Sequence, residues 1–197
     1  MTAKLLLLHP VEGVPEEMSD EALVAACGAG DAAALGALFD RHHAVVYRFL
    51  SRLAGTDAAS LDDLVQTTFL ELRRGARRFA GRASVKVWIL GIAANIVRHD
   101  VRSETRRKSL LLACAALPRS GPAAPDVATE RQELVERLFA ALRSLSHDLR
   151  VAFVMCDLEE IPCAEAARTL GIREGTLWRR RHDARKALRA ALEGKPT

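Results

Sequence analysis

The stretch GIREGTLWRRRHDARKAL, residues 171–188, sets Arg179, Arg180 and Arg181 side by side two turns after a glycine, and Arg185, Lys186 and Arg189 follow. A row of cations does one of two things. It meets phosphates and base edges, or it solvates the outer face of a helix. The element before it separates these readings. CAEAARTL, residues 163–170, reads as a short helix, with small Ala167 four residues before Gly171 and Leu170, Ile172 and Leu177 as an apolar hinge. Two small residues let the helices approach and the chain turn, which is the pattern of a helix-turn-helix with its second helix in the DNA major groove. There Arg173, Thr176, Arg179 and Arg180 stand near the start of the second helix, where base edges are met. Arg181, Arg185, Lys186 and Arg189 are better placed for phosphates. Trp178 either packs into the small domain core, the expected reading, or lies along the sugar–phosphate backbone.

Charge along the chain agrees with more than one polyanion contact. The formal net charge is only +4, but residues 73–108 hold eleven basic and two acidic side chains, and residues 173–189 hold seven and two. Residues 1–40 carry one lysine against seven acids. Two separate basic segments in a nearly balanced chain suggest two contacts with a polyanion, while composition alone favours two solvated helix faces. In the first of them Asn95, Arg98 and Arg102 follow at i, i+3 and i+7, on one helix face.

Other chemistries find less support. His42 and His43, beside Asp40, point to different faces of one helix and do not act together easily. Cys156 with His147 is the other nucleophile–base pair to weigh. There is no glycine-rich phosphate loop, so neither an enzyme nor a cofactor is expected. Cys27, Cys114, Cys156 and Cys163 show no CxxC spacing, and Pro162 interrupts the spacing that a Cys156/Cys163/His147 metal site needs. No metal is expected. Four leucines before His9 and Pro10 are too short for a signal core or a membrane span, so a cytoplasmic protein with reduced thiols follows, without membrane insertion.

The elements that must hold these groups are helical. Ala and Leu dominate the apolar residues, aromatics are only 5%, and no alternating strand pattern occurs. Residues 1–18 read as a flexible arm. A short helix is expected from about Asp20 to Cys27. Asp31 then caps a long helix with an apolar stripe from Leu35 to Leu53, which Gly55 stops. Ser60, with Asp63 three residues on, resembles a capping box ahead of a buried face made by Leu61, Leu64, Val65, Thr68, Phe69 and Leu72. Ser84 can cap the next helix. Pro118, Gly121, Pro122 and Pro125 mark a linker, and four further helical segments follow from Glu130. The fold class expected is all-α: two small helical domains, 19–107 and 130–193, joined by a flexible linker at 108–129, the second containing the helix-turn-helix.

Taken in order, these segments resemble the extracytoplasmic-function group of the sigma-70 family of RNA polymerase sigma factors. GDAAALGALFDRHHAVVYRFLSRLAG resembles the family's opening helix, and DDLVQTTFLELRRGARRFAG its aspartate–x–x–glutamine polymerase-binding helix. VKVWILGIAANIVRHDVR resembles the tryptophan-bearing helix that touches the −10 element. LRSLSHDLRVAFVMCDLEEIPCAEAARTLGIREGTLWRRRHDARKAL resembles the −35-binding domain. The resemblance implies that Asp63 and Gln66, with Leu64, Phe69 and Leu70, dock on the clamp region of core RNA polymerase. Asp63 is also suited to the first turn of a helix in its own right. The loop 79–86 matches the one that captures a flipped base, with Phe79 in it and Arg82 and Lys86 as its cations. Asn95, Arg98 and Arg102 would grip the −10 region, and Arg106 and Arg107 the phosphates beyond. Trp88 aligns with the family tryptophan, while its spacing with Ile92 and Ile96 gives it to the core.

Arg173, Thr176, Arg179, Arg180, Arg181 and Arg185 would meet the −35 element. The chain departs from the family pattern at Arg173-Glu174, Arg181, Asp183 and Cys163. The implied partners are core polymerase, promoter DNA and an anti-sigma factor. The alternative is a stand-alone helix-turn-helix regulator, which explains residues 163–190 but neither the Asp63/Gln66 helix nor the basic helix at 84–107.

Overall fold

The computed structural model describes residues 18–54, 58–112 and 130–193; every regular element among them is helical. α1 spans Asp20–Ala29 and α2 Ala32–Ala54; α3 covers Ala58–Gly75 and runs into a short 3₁₀ turn at Ala76–Arg78. α4 is Val85–Leu112, α5 Glu130–Ser144 and α6 His147–Phe153, the last continuing as a π-helical turn over Val154–Leu158. α7 is Cys163–Leu170 and α8 Glu174–Leu192.

Local chemistry sets most boundaries. Ser19 Oγ accepts from the Ala22 amide (3.2 Å) to open α1. Asp31 Oδ1 accepts from Ala33 and Ala34 (2.8 and 3.3 Å) to open α2, the cap its side chain predicts. Ser84 Oγ takes the Val87 amide (3.4 Å) at the head of α4. One expected cap is displaced: α3 begins at Ala58, so Ser60 lies inside the first turn. Alanine costs no side-chain entropy in a helix, and two of them extend α3 upstream of the serine. Gly171, at φ 67°, ends α7 in the left-handed conformation, and the Ile172 amide reaches back to Ala167 O (3.0 Å).

Packing joins the halves. Leu38, Phe49, Leu50 and Leu53 of α2 meet Leu72 of α3 and Ile89 and Leu90 of α4, all fully buried. The same buried cluster continues through Val151, Met155 and Ala166 to Leu177 of α8. A smaller cluster closes α5 on α8 through Leu142, Leu145, Ala184 and Leu188. α4 lies directly on α7, with Gly91 so close to Thr169 that a Cβ there would overlap its methyl group. The arm at 1–17 and the segment 113–129 lie outside the described residues, while residues 108–112 are the end of α4.

Candidate nucleic-acid and polymerase interfaces

α3 has two faces. Leu61, Val65, Phe69 and Leu72 turn inward, and buried Thr68 donates its hydroxyl to Leu64 O (2.8 Å). Asp63, Gln66 and Leu70, at i, i+3 and i+7, form an exposed row, with Leu70 45% exposed and Leu64 half-buried at its edge. Neither the Asp63 nor the Gln66 side chain is engaged by another described residue. Phe69 does not belong to that row. It is 4% exposed and packs its ring against Phe39 at 4.9 Å, so it holds the helix down and offers no docking surface.

The loop and helix that follow make a groove against α3. Thr67, Glu71, Arg78, Trp88, Asn95 and His99 line it. Trp88 is half-buried, with Phe79 at 4.8 Å and Gly75 beneath the indole, so the expected packing role is combined with a place in the groove wall. Asn95 is exposed into this groove, but Arg98 leaves the predicted common face. It turns toward α6 and binds Asp148 Oδ1 at 3.2 Å. Lys86 pairs with Glu159 at 3.4 Å, and the Arg82 side chain is exposed while its carbonyl accepts from Arg168 Nε (3.3 Å). The side chains of Arg102, Arg106 and Arg107 lie outside the described residues.

On α8 the buried positions are Leu177, Ala184 and Leu188, spaced by seven and four, which leaves the arginines on flanking faces. Arg173, Thr176 and Arg179 are exposed at its start. Arg179 has only a 3.9 Å approach to Asp183. Three predicted contacts are already paired inside the chain. Arg180 binds Asp148 at 2.6 Å, Arg181 binds Asp157 at 2.9 Å, and Arg185 also holds Asp157, through Nε at 2.8 Å. Asp157 works against burial, yet hydrogen bonds from Arg181 and Arg185 hold its carboxyl below the usual range. The same bond raises the Arg181 pKa further.

Trp178 is not in the core: it is 51% exposed, stacked beneath the Arg181 guanidinium at 5.3 Å, with its Nε1 donating to Glu174 at 3.4 Å. Its position next to Leu177 places it about 100° round the helix from the buried stripe.

The residues that sequence reasoning missed are acids. Asp148 bridges Arg98 of α4 and Arg180 of α8, and Glu159 bridges Arg52 (2.6 Å) and Lys86. Glu165 accepts from the Ser84 amide and hydroxyl (2.8 and 3.1 Å). The available signal was the acidic run DLEE at 157–160 beside a strongly basic helix.

His42 and His43 do diverge: His42 is buried against Asp20 (2.7 Å), while His43 is exposed and stacks on Phe39. Among the described residues no three His, Cys, Asp or Glu side chains converge as metal ligands, and no helix is long and apolar enough to cross a membrane.

A helix-turn-helix with an exposed cationic entry, packed on a helical half that presents an open Asp/Gln face, has the form of a DNA-binding factor. Comparison with known proteins says which kind. Residues 38–107 match sigma-70 region 2 and residues 136–188 match sigma-70 region 4. The ECF RNA polymerase sigma factor SigM of Mycobacterium tuberculosis is 33% identical, over 91% of this chain and 88% of the relative. SigL of the same species is 31% identical, over 87% and 96%. In fold, CnrH, solved with the cytosolic domain of CnrY, superposes with a TM-score of 0.64 at 22% identity, over 90% of this chain and 99% of that one. The sigma factor RpoE of Bartonella quintana, solved with the anti-sigma factor NepR, gives 0.59 at 22%, over 76% and 90%. The chain belongs to the ECF RNA polymerase sigma factors of the sigma-70 family.

Proposed function

We propose that this sigma factor docks on the clamp region of core RNA polymerase through the exposed row Asp63, Gln66 and Leu70, with Leu64 at its edge. A carboxylate, an amide and a leucine on one helix face that the described residues leave open suit a polar interface with an apolar anchor. The −10 element then lies along the α3–α4 groove, with Phe79 and Asn95 toward opened bases and Arg82, Lys86, Arg98, Arg102, Arg106 and Arg107 toward the backbone. The −35 element takes the start of α8: Arg173, Thr176, Arg179 and Arg180 toward base edges, Arg181 and Arg185 toward phosphates. The protein catalyses nothing itself; it confers promoter choice and promoter opening on the polymerase, in the cytoplasm where polymerase works. An anti-sigma factor that covers these surfaces restrains it, in keeping with the inhibitor-bound state of its structural neighbour in Bartonella quintana.

The observation that carries the docking assignment is the exposure of Asp63, Gln66 and Leu70 on one face while Leu61, Val65, Phe69 and Leu72 are buried on the other. Co-elution with core polymerase tests it: wild type is expected to co-elute, and Asp63→Ala/Gln66→Ala to bind at least about tenfold more weakly, some 1.4 kcal/mol. Equal binding by the double variant would move the docking surface elsewhere.

A further inference from the structure

Cys156 and Cys163 are seven residues apart, across Pro162, and the fold brings them together. Cys156 sits in the π-helical turn that follows α6, Cys163 is the first residue of α7, and their sulfurs are 3.6 Å apart. Both are buried, at 7% and 8% exposure, and both are free thiols. A disulfide needs about 2.05 Å between sulfurs, so an approach of about 1.5 Å would join them. That displacement is small for a segment such as 157–162, which already bends through a positive φ of 55° at Glu160.

The two thiols are not equivalent. Arg181 Nη1 donates to Cys163 Sγ at 3.6 Å, and Cys163 opens α7, whose amide end also favours a negative charge. Cys156 has neither. Burial first, and then the neighbouring sulfur, push its thiol up to about 12. The guanidinium contact therefore singles out Cys163 as the sulfur placed to attack.

We propose that Cys156 and Cys163 form an oxidation site that closes to an intramolecular disulfide with a hydroperoxide as oxidant. The Cys163 thiolate attacks the terminal peroxide oxygen, the O–O bond breaks, and the leaving alkoxide or hydroxide takes a proton to become alcohol or water. Cys163 is now a sulfenic acid. The Cys156 sulfur attacks the Cys163 sulfur, the S–O bond breaks, and the departing hydroxyl leaves as water with the Cys156 proton. Two thiols have lost two electrons, and the peroxide has gained them. The closed bond ties the start of α7 to the turn just ahead of Asp157, the carboxylate that holds Arg181 and Arg185 of α8.

The test uses the full chain. No Lys or Arg lies between Arg150 and Arg168, so one tryptic peptide, 151–168, carries both cysteines. Reduced protein is treated with hydrogen peroxide, alkylated after unfolding, and digested without reductant. The expected product is peptide 151–168 without alkyl groups and two hydrogens lighter, from a monomeric chain, with both alkylation sites restored by dithiothreitol. Arg181→Gln is expected to slow closure about tenfold, because Cys163 loses the guanidinium that donates to its sulfur.

A peptide that keeps both thiols while Cys27, Cys114 or Met155 is oxidised would overturn the proposal. So would separate over-oxidation of the two cysteines, or bonds only between chains. Closure at the wild-type rate in Arg181→Gln would remove Arg181 from the site. Cys163→Ser should leave Cys156 unreactive, and the wild-type peptide decides the matter even if that variant folds poorly.

Discussion

The outer face of α3 and the basic face of α8 carry the same kind of sequence signal, polar side chains recurring at helical spacing, yet the fold treats them differently. On α3, Asp63, Gln66 and Leu70 stand open, with no counter-group drawn over them among the described residues. On α8, Arg180, Arg181 and Arg185 are already bound to Asp148 and Asp157. A partner of α3 meets a face that needs only desolvation. DNA at α8 must compete with internal carboxylates, exchanging one set of charge-assisted hydrogen bonds for another. The lesson is that net charge counted along a segment overstates the charge it can deliver. Seven cations on residues 173–189 amount to fewer available ones, because two acids from outside that segment neutralise three of them.

The largest effect should come from the buried side of α3. Phe69→Ala removes a ring packed on Phe39 and should cost about 3–5 kcal/mol of stability, read by chemical denaturation. A loss below about 1 kcal/mol would mean that Phe69 does not anchor the helix. On α8, Asp157→Ala leaves Arg181 and Arg185 without their shared acid. It should lower stability by about 2–3 kcal/mol and raise affinity for a nonspecific DNA duplex severalfold, with a steeper salt dependence, near one further ion per freed arginine. Weaker DNA binding by a folded Asp157→Ala protein would show instead that the acid positions the arginines for DNA.

The junction between the halves should respond to pH. Burial first, and then the Arg98 charge, lower His147 to about 4 from an ordinary value of 6.5. The folded protein therefore takes up its proton later than the unfolded chain. This group's contribution is complete above pH 6.5 and is lost as pH falls from 6.5 toward 4. Discounted for partial exposure, the loss is about 2 kcal/mol. His147→Gln should flatten that part of a stability–pH curve, and an unchanged curve would place the titration elsewhere.

The smallest stability effect belongs to the open face. Leu70→Ala should change stability by less than about 0.5 kcal/mol while weakening association with core polymerase severalfold. A large stability loss would show that Leu70 is part of the core, and the contrast between the two faces of α3 would collapse.

Much of this protein is written locally. Asp31 as a cap, Gly171 as a left-handed stop, the inward stripe of α2 and the limits of α7 and α8 follow from side-chain chemistry within a few residues, and the structure places them where the sequence does. Four segments in order, from the opening helix through the Asp63–x–x–Gln66 helix and the tryptophan-bearing helix to the helix-turn-helix, place the chain among sigma factors. Tertiary structure decided what depends on residues distant in sequence. It put Phe69 inside and Trp178 outside, because which flank of a helical stripe is covered depends on the neighbouring helix. It turned Arg98 away from Asn95 toward an acid fifty residues on, and it gave Arg181 both a carboxylate and a thiol. Helical period fixes a side chain's direction around its own axis; only the packing of one helix on another decides what it meets there.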